Sequence, residues 1–182
     1  MNPRLSKADE ILSVAERMAR TAGYNCFSYR EIAKEVGIKA ASVHYHFPSK
    51  AELGAAIGRR YTERFLADLG APDDPGVTPE ALLRGYIAAF RRSLVDEGLM
   101  CLCGLLGAEV ADLPAPVAAE AKHFFERNIA WLSQVFERAP ESRTPEQARV
   151  AAMHVIATLE GAMILARALD DTAAFDAVTQ GL

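Results

Sequence analysis

The chain has 182 residues, of which 51% are hydrophobic and 24% are charged. This composition is typical of a globular protein and excludes wholesale disorder or a collagen-like repeat, and the length allows a buried core. The net charge of −4 by itself argues against a nucleic-acid partner. However, residues 1–65 hold 11 Lys/Arg and 7 Asp/Glu, whereas residues 66–182 hold 9 Lys/Arg and 17 Asp/Glu. This asymmetry predicts a basic binding module joined to an acidic body.

Cysteine usage and the apolar segments indicate the compartment. The cysteines, Cys26, Cys101 and Cys103, cannot all pair with one another, which fits a reducing cytoplasm. The first ten residues, MNPRLSKADE, lack an apolar signal segment. The most apolar long stretch, 151–169, contains three ionisable residues and therefore predicts a buried helix rather than a membrane span. We expect a cytoplasmic protein with no membrane partner.

Helix signals dominate the first third of the chain. The apolar repeat of a first helix ends at Gly23, a typical C-terminal stop. Ser28, followed three residues later by a glutamate, forms a capping box for a second helix that ends at Gly37. A short third helix is predicted from about Lys39 to His46. A second capping box, at 49–52, opens a longer fourth helix.

The remainder of the chain is also predicted to be helical. Three prolines within residues 70–79 mark the clearest break. Beyond it, helices are expected at about 78–96, 102–111, 116–138 and 145–169, with a short last helix capped by Thr172. No segment alternates with the period of a strand, so the predicted class is all-α. The predicted parts are a helix-turn-helix domain at 1–50, a connecting helix at 51–69 and a helical body for ligand binding and dimerisation at 78–182.

The spacing within residues 28–47 is that of a helix-turn-helix, whose second helix enters the DNA major groove. At about 100° per residue, the side chains of this helix separate into two arcs. The polar arc holds Lys39, Ser42, Tyr45 and His46, and the opposite arc holds Ala40, Val43, His44 and Phe47. The polar arc carries groups suited to phosphates and base edges. Lys50 opens the next helix, whose N-terminus is also suited to a phosphate.

The segment FSYREIAKEVGIKAASVHYHFPSK, from Phe27 to Lys50, resembles the DNA-binding domain of the TetR/AcrR family of bacterial repressors. The resemblance implies a three-helix head, a connecting helix, and an all-α ligand-binding body that dimerises through its last two main helices. It implies DNA contacts by Ser28, Tyr29, Lys39, Ser42, Tyr45, His46 and Lys50, and Arg30 and His44 complete the predicted set. Position 44 is commonly Tyr in the family and is His here. The His44 side chain is therefore expected either to reach a phosphate or to pack inward.

Other classes of function have weaker support. The chain has no Gly-x-Gly-x-x-Gly or Walker-type loop and no Gly-x-Ser-x-Gly elbow, so neither an enzyme nor a cofactor is predicted. His44 and His46 point about 200° apart on a helix, which argues against a metal site. The alternative is a helical adaptor that binds protein partners without DNA. Retention on DNA resin, lost at raised salt, would separate the two hypotheses.

A ligand pocket is expected within the body. The candidate apolar residues are Phe90, Leu94, Met100, Leu106, Phe124, Trp131 and Met153, and the polar ones are His123, Asn128, His154 and Glu160. This mixture predicts a small, largely apolar inducer held by few polar groups, although most of the large apolar residues are expected to belong simply to the core.

Cys101 and Cys103 add a second hypothesis for the signal. A thiol near the start of the 102–111 helix would have a lowered pKa, because unpaired N–H groups favour the thiolate. A Cys-Leu-x-Gly pattern loosely resembles family members that respond to oxidants or electrophiles, and Cys101 would be the attacking thiolate. The competing interpretation is that both are inert buried residues. A metal site with His123 is disfavoured, since two cysteines fix little geometry.

Small residues follow one stripe of the 145–169 helix. The stripe comprises Ala157, Gly161 and Ala168, with Leu165 beside it, and permits close helix approach. The family resemblance favours a dimer interface here, while burial at the centre of one subunit is the alternative. The chain is therefore predicted to be a homodimeric regulator, released from a near-palindromic double-stranded DNA operator by a small-molecule inducer.

Overall fold

The computed structural model describes residues 6–141 and 143–182, and within these ranges every regular element is helical. Met1–Leu5, with which the predicted DNA-binding domain begins, lie outside the described residues. The α-helices are α1 Lys7–Ala22, α2 Tyr29–Val36, α3 Ala40–His46, α4 Lys50–Leu69, α5 Pro79–Arg91, α6 Leu102–Ala108, α7 Ala115–Glu137, α8 Pro145–Leu169 and α9 Ala173–Thr179. Short 3-10 turns occur at Tyr24–Cys26 and Val110–Asp112, and a π-helix at Arg92–Asp96. The predicted all-α class is confirmed.

Local capping bonds set most helix ends where the sequence predicts them. The Ser28 hydroxyl accepts the Glu31 N–H at 3.3 Å, and the Glu31 carboxylate accepts the Ser28 N–H at 2.8 Å. Thr144 caps α8 in the same reciprocal way. Gly23 and Gly37 follow α1 and α2 with φ of 89° and 72°, a backbone region that favours glycine. The predicted starts and ends of these helices are confirmed.

Two predicted helix ends are corrected by the structure. The α-helical part of α5 does not reach Asp96, because the Glu97 N–H bonds to the Arg92 carbonyl at 3.1 Å and the segment is a π-helix. Thr172 does not cap α9 through its side chain. Instead, the Asp171 carboxylate accepts the Ala173 N–H at 2.9 Å.

The chain forms two compact units, and the first comprises Leu102–Phe124 together with the described residues up to Glu63. A buried ion-pair cluster joins α1 to α4 within this unit. The Glu16 carboxylate lies 3.1 Å from Arg60 and 3.7 Å from Arg20, and the Arg20 guanidinium lies 5.4 Å from the centre of the Tyr61 ring. This cluster holds the first helix of the head on the connecting helix.

Close packing joins residues 102–124 to the head within the same unit. The Glu109 carboxylate accepts the Tyr24 N–H at 2.9 Å. A Cβ at Gly54 on α4 would lie 2.8 Å from Val117 on α7 and 2.6 Å from the Tyr24 ring, so the approach requires glycine. Arg59 on α4 forms a 2.6 Å ion pair with Glu120 on α7. The helix-turn-helix is thus built onto α4, α6 and the first part of α7.

The second unit comprises residues 64–101 and 125–182. Its core contains an aromatic cluster, in which the Tyr86 ring lies 5.5–5.7 Å from the rings of Phe65, Phe90 and Trp131. The Trp131 indole N–H donates to the Gly70 carbonyl at 2.9 Å, which anchors the proline-rich segment. Helix α8 packs on α5 and α9.

Helix α8 is the one helix among the described residues that is long and apolar enough to cross a membrane, by length and composition only. A core helix of a soluble protein has the same composition. One side of α8 is buried in the second unit, along Ala148, Ala152, Val155, Ile156, Leu159, Ala162, Met163 and Ala166. This burial accounts for much of its apolar content.

Candidate DNA-binding face and ligand-binding body

Helix α3 presents most of its surface to solvent. Val43 is its fully buried anchor, and the phenol of Tyr45 is 84% exposed. Lys39 and His46 are exposed and Ser42 is half-buried. These four polar residues line one concave surface of about 380 Å³. The structure therefore brings together the polar arc that the sequence predicts.

Lys7 lines the same concave surface but was missed by the sequence analysis. It lies in the first turn of α1, where its ammonium is 2.6 Å from the Glu10 carboxylate. Only folding brings this residue beside α3, since more than thirty positions separate them in the chain. The excess of Lys and Arg in residues 1–65 predicts a basic face, but it does not indicate that Lys7 belongs to it.

The structure settles the orientation of His44. Its side chain is exposed, and its ring centre lies 4.4 Å from that of Tyr29. Ala40, on the same arc, is also exposed. The reason is that a short helix is covered on a narrow strip only, here at Val43 and, in part, at Phe47.

Two of the predicted DNA-contacting residues, Ser28 and Tyr29, form hydrogen bonds within the head. The Ser28 hydroxyl caps α2, and the Tyr29 hydroxyl donates to the Phe47 carbonyl at 2.8 Å. Burial, as the main cause, raises the pKa of Tyr29 to about 12, so the phenol stays protonated at neutral pH. Arg30 is exposed, like Lys39, His44, Tyr45 and His46.

The Lys50 side chain packs against aromatic residues of the head. Its ammonium lies 4.7 Å from the centre of the Tyr24 ring and 4.5 Å from that of Phe27. Burial lowers the pKa of Lys50. In the free protein the ammonium is thus held over two aromatic rings of the head, a cation–π arrangement, rather than extended into solvent.

The predicted pocket residues are mostly core. The apolar candidates other than Met153 are buried, namely Phe90, Leu94, Met100, Leu106, Phe124 and Trp131, as are Cys101, Cys103 and Asn128. His123 and Met153 are exposed, so neither lines an interior cavity. The register of α7 explains His123, since it lies about 200° around the helix from the buried Ala121.

A concave site of about 300 Å³ lies in the second unit, and His154 is the one predicted residue that lines it. Its apolar floor includes Leu83 of α5, Val135 and Phe136 of α7, and Val155 of α8. The sequence did not separate these residues from ordinary core positions, because buried and pocket-lining side chains have the same composition.

A cluster of buried polar groups lies beside the aromatic rings of the second unit. The Tyr86 hydroxyl donates to Asn128 Oδ1 at 2.9 Å. Burial raises the pKa of Glu160 to about 7, opposed by a hydrogen bond with the Cys101 thiol, and Glu160 Oε1 is buried with no hydrogen-bond partner. Burial also raises the pKa of Tyr86, with Cys101 and Glu160 adding to the effect.

The thiols predicted to sense electrophiles are enclosed. Cys101 is 1% exposed and Cys103 is fully buried. Cys101 precedes α6 and hydrogen-bonds the Glu160 carboxyl. The structure thus lacks the solvent-accessible thiol that the electrophile-sensing hypothesis requires at Cys101.

The outward face of α8 is apolar and uncovered in one protomer. Ile164 and Leu169 are 56% and 65% exposed. Of the predicted interface residues, Ala157, Leu165 and Ala168 are exposed and Gly161 is half-buried. A Cβ added at Gly161 would meet nothing within 4 Å. Exposed apolar patches of this kind mark association surfaces.

Comparison with known proteins agrees with this architecture. Residues 11–57 match the family model described as bacterial regulatory proteins, tetR family. Residues 79–181 match the model of the C-terminal domain of LmrA/YxaF-like transcriptional regulators. The HTH-type transcriptional regulator LmrA of Bacillus subtilis is 32% identical over 163 residues, which cover 86% of this chain and 84% of LmrA.

Solved structures show the same fold over nearly the whole chain. A TetR transcriptional regulator from Legionella pneumophila has a TM-score of 0.90 and 33% identity, covering 99% of this chain and 96% of that one. A TetR-family regulator from Agrobacterium tumefaciens has a TM-score of 0.89 and 36% identity, covering 96% of this chain and 94% of that one.

A helix-turn-helix head followed by an all-α body defines a class of DNA-binding transcriptional regulators. The chain belongs to the TetR family of this class, and its C-terminal part is of the LmrA/YxaF-like type. It is a ligand-responsive DNA-binding transcriptional regulator.

Proposed function

We propose that this protein is a cytoplasmic homodimeric repressor that inserts α3 into the major groove of a near-palindromic operator and is released by a small molecule. The observation that carries the proposal is the 84% exposure of Tyr45 on a short helix that also presents Lys39, Ser42 and His46. No catalytic step is part of the proposal.

The chemistry of the α3 surface supports direct DNA contact. A phenol, a hydroxyl and an imidazole can bond base edges or phosphates, and Lys39 adds a cation. Lys7 on the same concave surface is a further cation for the backbone. The exposed Arg30 of α2 and the exposed His44 of α3 are assigned to phosphates. Ser28, Tyr29 and Lys50 support the head in the free protein, and any DNA contact by Lys50 requires its ammonium to leave the aromatic rings.

The outward face of α8 supports the dimer. An apolar strip that includes Ile164, Leu165 and Leu169 would stay in water in a monomer. Burying it against the same strip of a second copy removes this apolar area from water. A two-fold dimer then presents two α3 helices to half-sites about 34–36 Å apart on one face of the DNA. An effector that changes this separation would weaken operator binding.

The proposal is tested by selecting bound sequences from a pool of random double-stranded DNA at moderate salt. We expect enrichment of a near-palindrome whose half-site centres are about 10 base pairs apart, and binding that weakens steeply with added salt. A pool that remains random after repeated selection would contradict DNA recognition. Enrichment of a single, non-repeated half-site would contradict the dimer.

A further inference from the structure

The second unit contains a buried acid that neither DNA binding nor the proposed dimer uses. Glu160 Oε1 is enclosed without a hydrogen-bond partner, and the carboxyl group forms a hydrogen bond with the thiol of Cys101. Buried polar atoms in folded proteins are nearly always satisfied, so an unsatisfied carboxyl oxygen calls for a specific explanation.

No cation compensates this carboxyl within the part of the chain that the structure describes. The groups that face it are the Cys101 thiol, from the segment before α6, and the Tyr86 phenol, from α5. The Asn128 amide, from α7, is engaged with the Tyr86 hydroxyl. Arg167, on the same helix as Glu160, donates to the Gly98 carbonyl at 2.9 Å. Among the described residues, the groups that interact with this acid are thus a thiol and a phenol, and neither carries a positive charge.

An aromatic cluster includes the phenol that interacts electrostatically with Glu160. Tyr86, which interacts with Glu160, stacks on Trp131 at 5.7 Å and lies 5.5 Å from Phe90. Ring faces attract cations, and the attraction strengthens when the cation is removed from water. An unpaired carboxyl beside ring faces is the combination that recognises an organic cation.

The segment that carries Cys101, the residue hydrogen-bonded to Glu160, has an irregular backbone. The π-helix at Arg92–Asp96 precedes Gly98, whose φ is 67°, and residues 99–101 then lead to Cys101 without helical structure. π-Helical turns in proteins are frequent at functional sites. Glu160 as a residue is half-buried, but its carboxyl oxygen Oε1 is enclosed.

We propose that Glu160 anchors the effector and that the effector is a small amine, whose ammonium pairs with this carboxylate while its apolar body packs on the rings of Tyr86, Phe90 and Trp131. The inference rests on the proposed function, because it names the class of molecule that releases the operator. A neutral molecule of the same shape leaves the carboxyl unsatisfied and binds more weakly.

The acid–base behaviour of the site supports this chemistry. Burial raises the pKa of Glu160 to about 7. An ammonium requires the ionised carboxylate, so amine affinity rises as the pH increases through about 7 and falls below it. Binding an amine at neutral pH therefore releases protons from the protein.

The test uses matched pairs of probes, namely benzylamine, 2-phenylethylamine and 4-phenylbutylamine, each with the corresponding alcohol. Binding is measured by thermal shift and calorimetry on the full chain, with Glu160→Gln as the test variant. Glu146→Gln, which alters an exposed acid at the start of the same helix, is the control. We expect at least one amine to bind wild type and Glu146→Gln tenfold or more tightly than its alcohol, and Glu160→Gln to lose this preference.

Equal binding of every amine and its alcohol, no binding of any amine, or an amine preference that persists in Glu160→Gln would overturn the proposal. So would a change of oligomeric state in Glu160→Gln, which would assign the residue to the dimer interface. Operator binding by the ligand-free wild type is measured separately. If the ligand-free wild type does not bind the operator, the proposed function is contradicted. The amine-binding measurement still tests the role of Glu160 independently.

Discussion

The hydroxyl of Tyr29 donates a 2.8 Å hydrogen bond to the carbonyl of Phe47. The bond ties the start of α2 to the end of α3, and the Tyr29 ring simultaneously lies against His44. A residue that sequence resemblance assigns to DNA contact therefore also fixes the helix that presents Tyr45. Its effect on DNA binding includes the positioning of α3.

Replacing Tyr29 by Phe removes this bond and keeps the ring. We expect the free energy of unfolding to fall by about 1 kcal/mol, the usual value for one hydrogen bond. Urea unfolding measures the change. Tyr45→Phe is the matched control, because the Tyr45 phenol is 84% exposed and its loss leaves stability unchanged. Equal stability of the two variants would show that the Tyr29 bond contributes nothing to the head.

Gly161→Leu tests the dimer surface without disturbing the protomer, since a Cβ at this position meets nothing within 4 Å. Overpacking an interface at one site costs about 1–3 kcal/mol, so we expect a shift towards monomer in analytical ultracentrifugation and weaker operator binding. Gly85→Leu on α5 is the control, because its added Cβ also meets open space. A variant at 161 that sediments like wild type would place the interface elsewhere.

Glu160 also predicts a pH dependence of stability. Its pKa is raised from 4.5 to about 7 in the folded protein, mainly by burial. Between these values the folded state holds a proton that the unfolded chain releases, so this contribution is complete at low pH and is lost as the pH rises to about 7. Glu160→Gln should lose less stability than wild type between pH 5 and pH 8 in urea unfolding. If the stability of wild type and that of Glu160→Gln change in parallel with pH, the carboxyl of Glu160 is not a buried, uncompensated acid.

Much of the fold follows from local sequence signals. Ser28 and Thr144 mark helix starts because a capping bond joins residues three positions apart, and such bonds form wherever those residue types have that spacing. The polar arc of α3 follows from helix geometry alone. The π-helix at Arg92–Asp96 has no comparable signal, since its bonding differs from an α-helix by one position and depends on packing.

The candidate sites were less predictable than the helices. Lys7 reaches the α3 surface, and the Lys50 ammonium reaches the rings of Tyr24 and Phe27, only through contacts between distant elements. In the body, Phe90 and His123 were equally plausible pocket residues by composition. Phe90 is buried in an aromatic cluster and His123 is exposed. This difference is set by the register of each helix against its neighbours.

Operator affinity of Tyr45→Ala and Lys39→Ala, measured by fluorescence anisotropy over a range of salt, tests the central claim that α3 reads DNA. Loss of a base contact should cost about 1–3 kcal/mol at one operator position, and loss of a phosphate contact should weaken all sequences and reduce the salt slope by about 1. Arg84→Ala, which removes an exposed cation from α5, should bind like wild type. If both α3 variants retain wild-type affinity and salt dependence, with fold and dimer intact, α3 is not the DNA-reading helix.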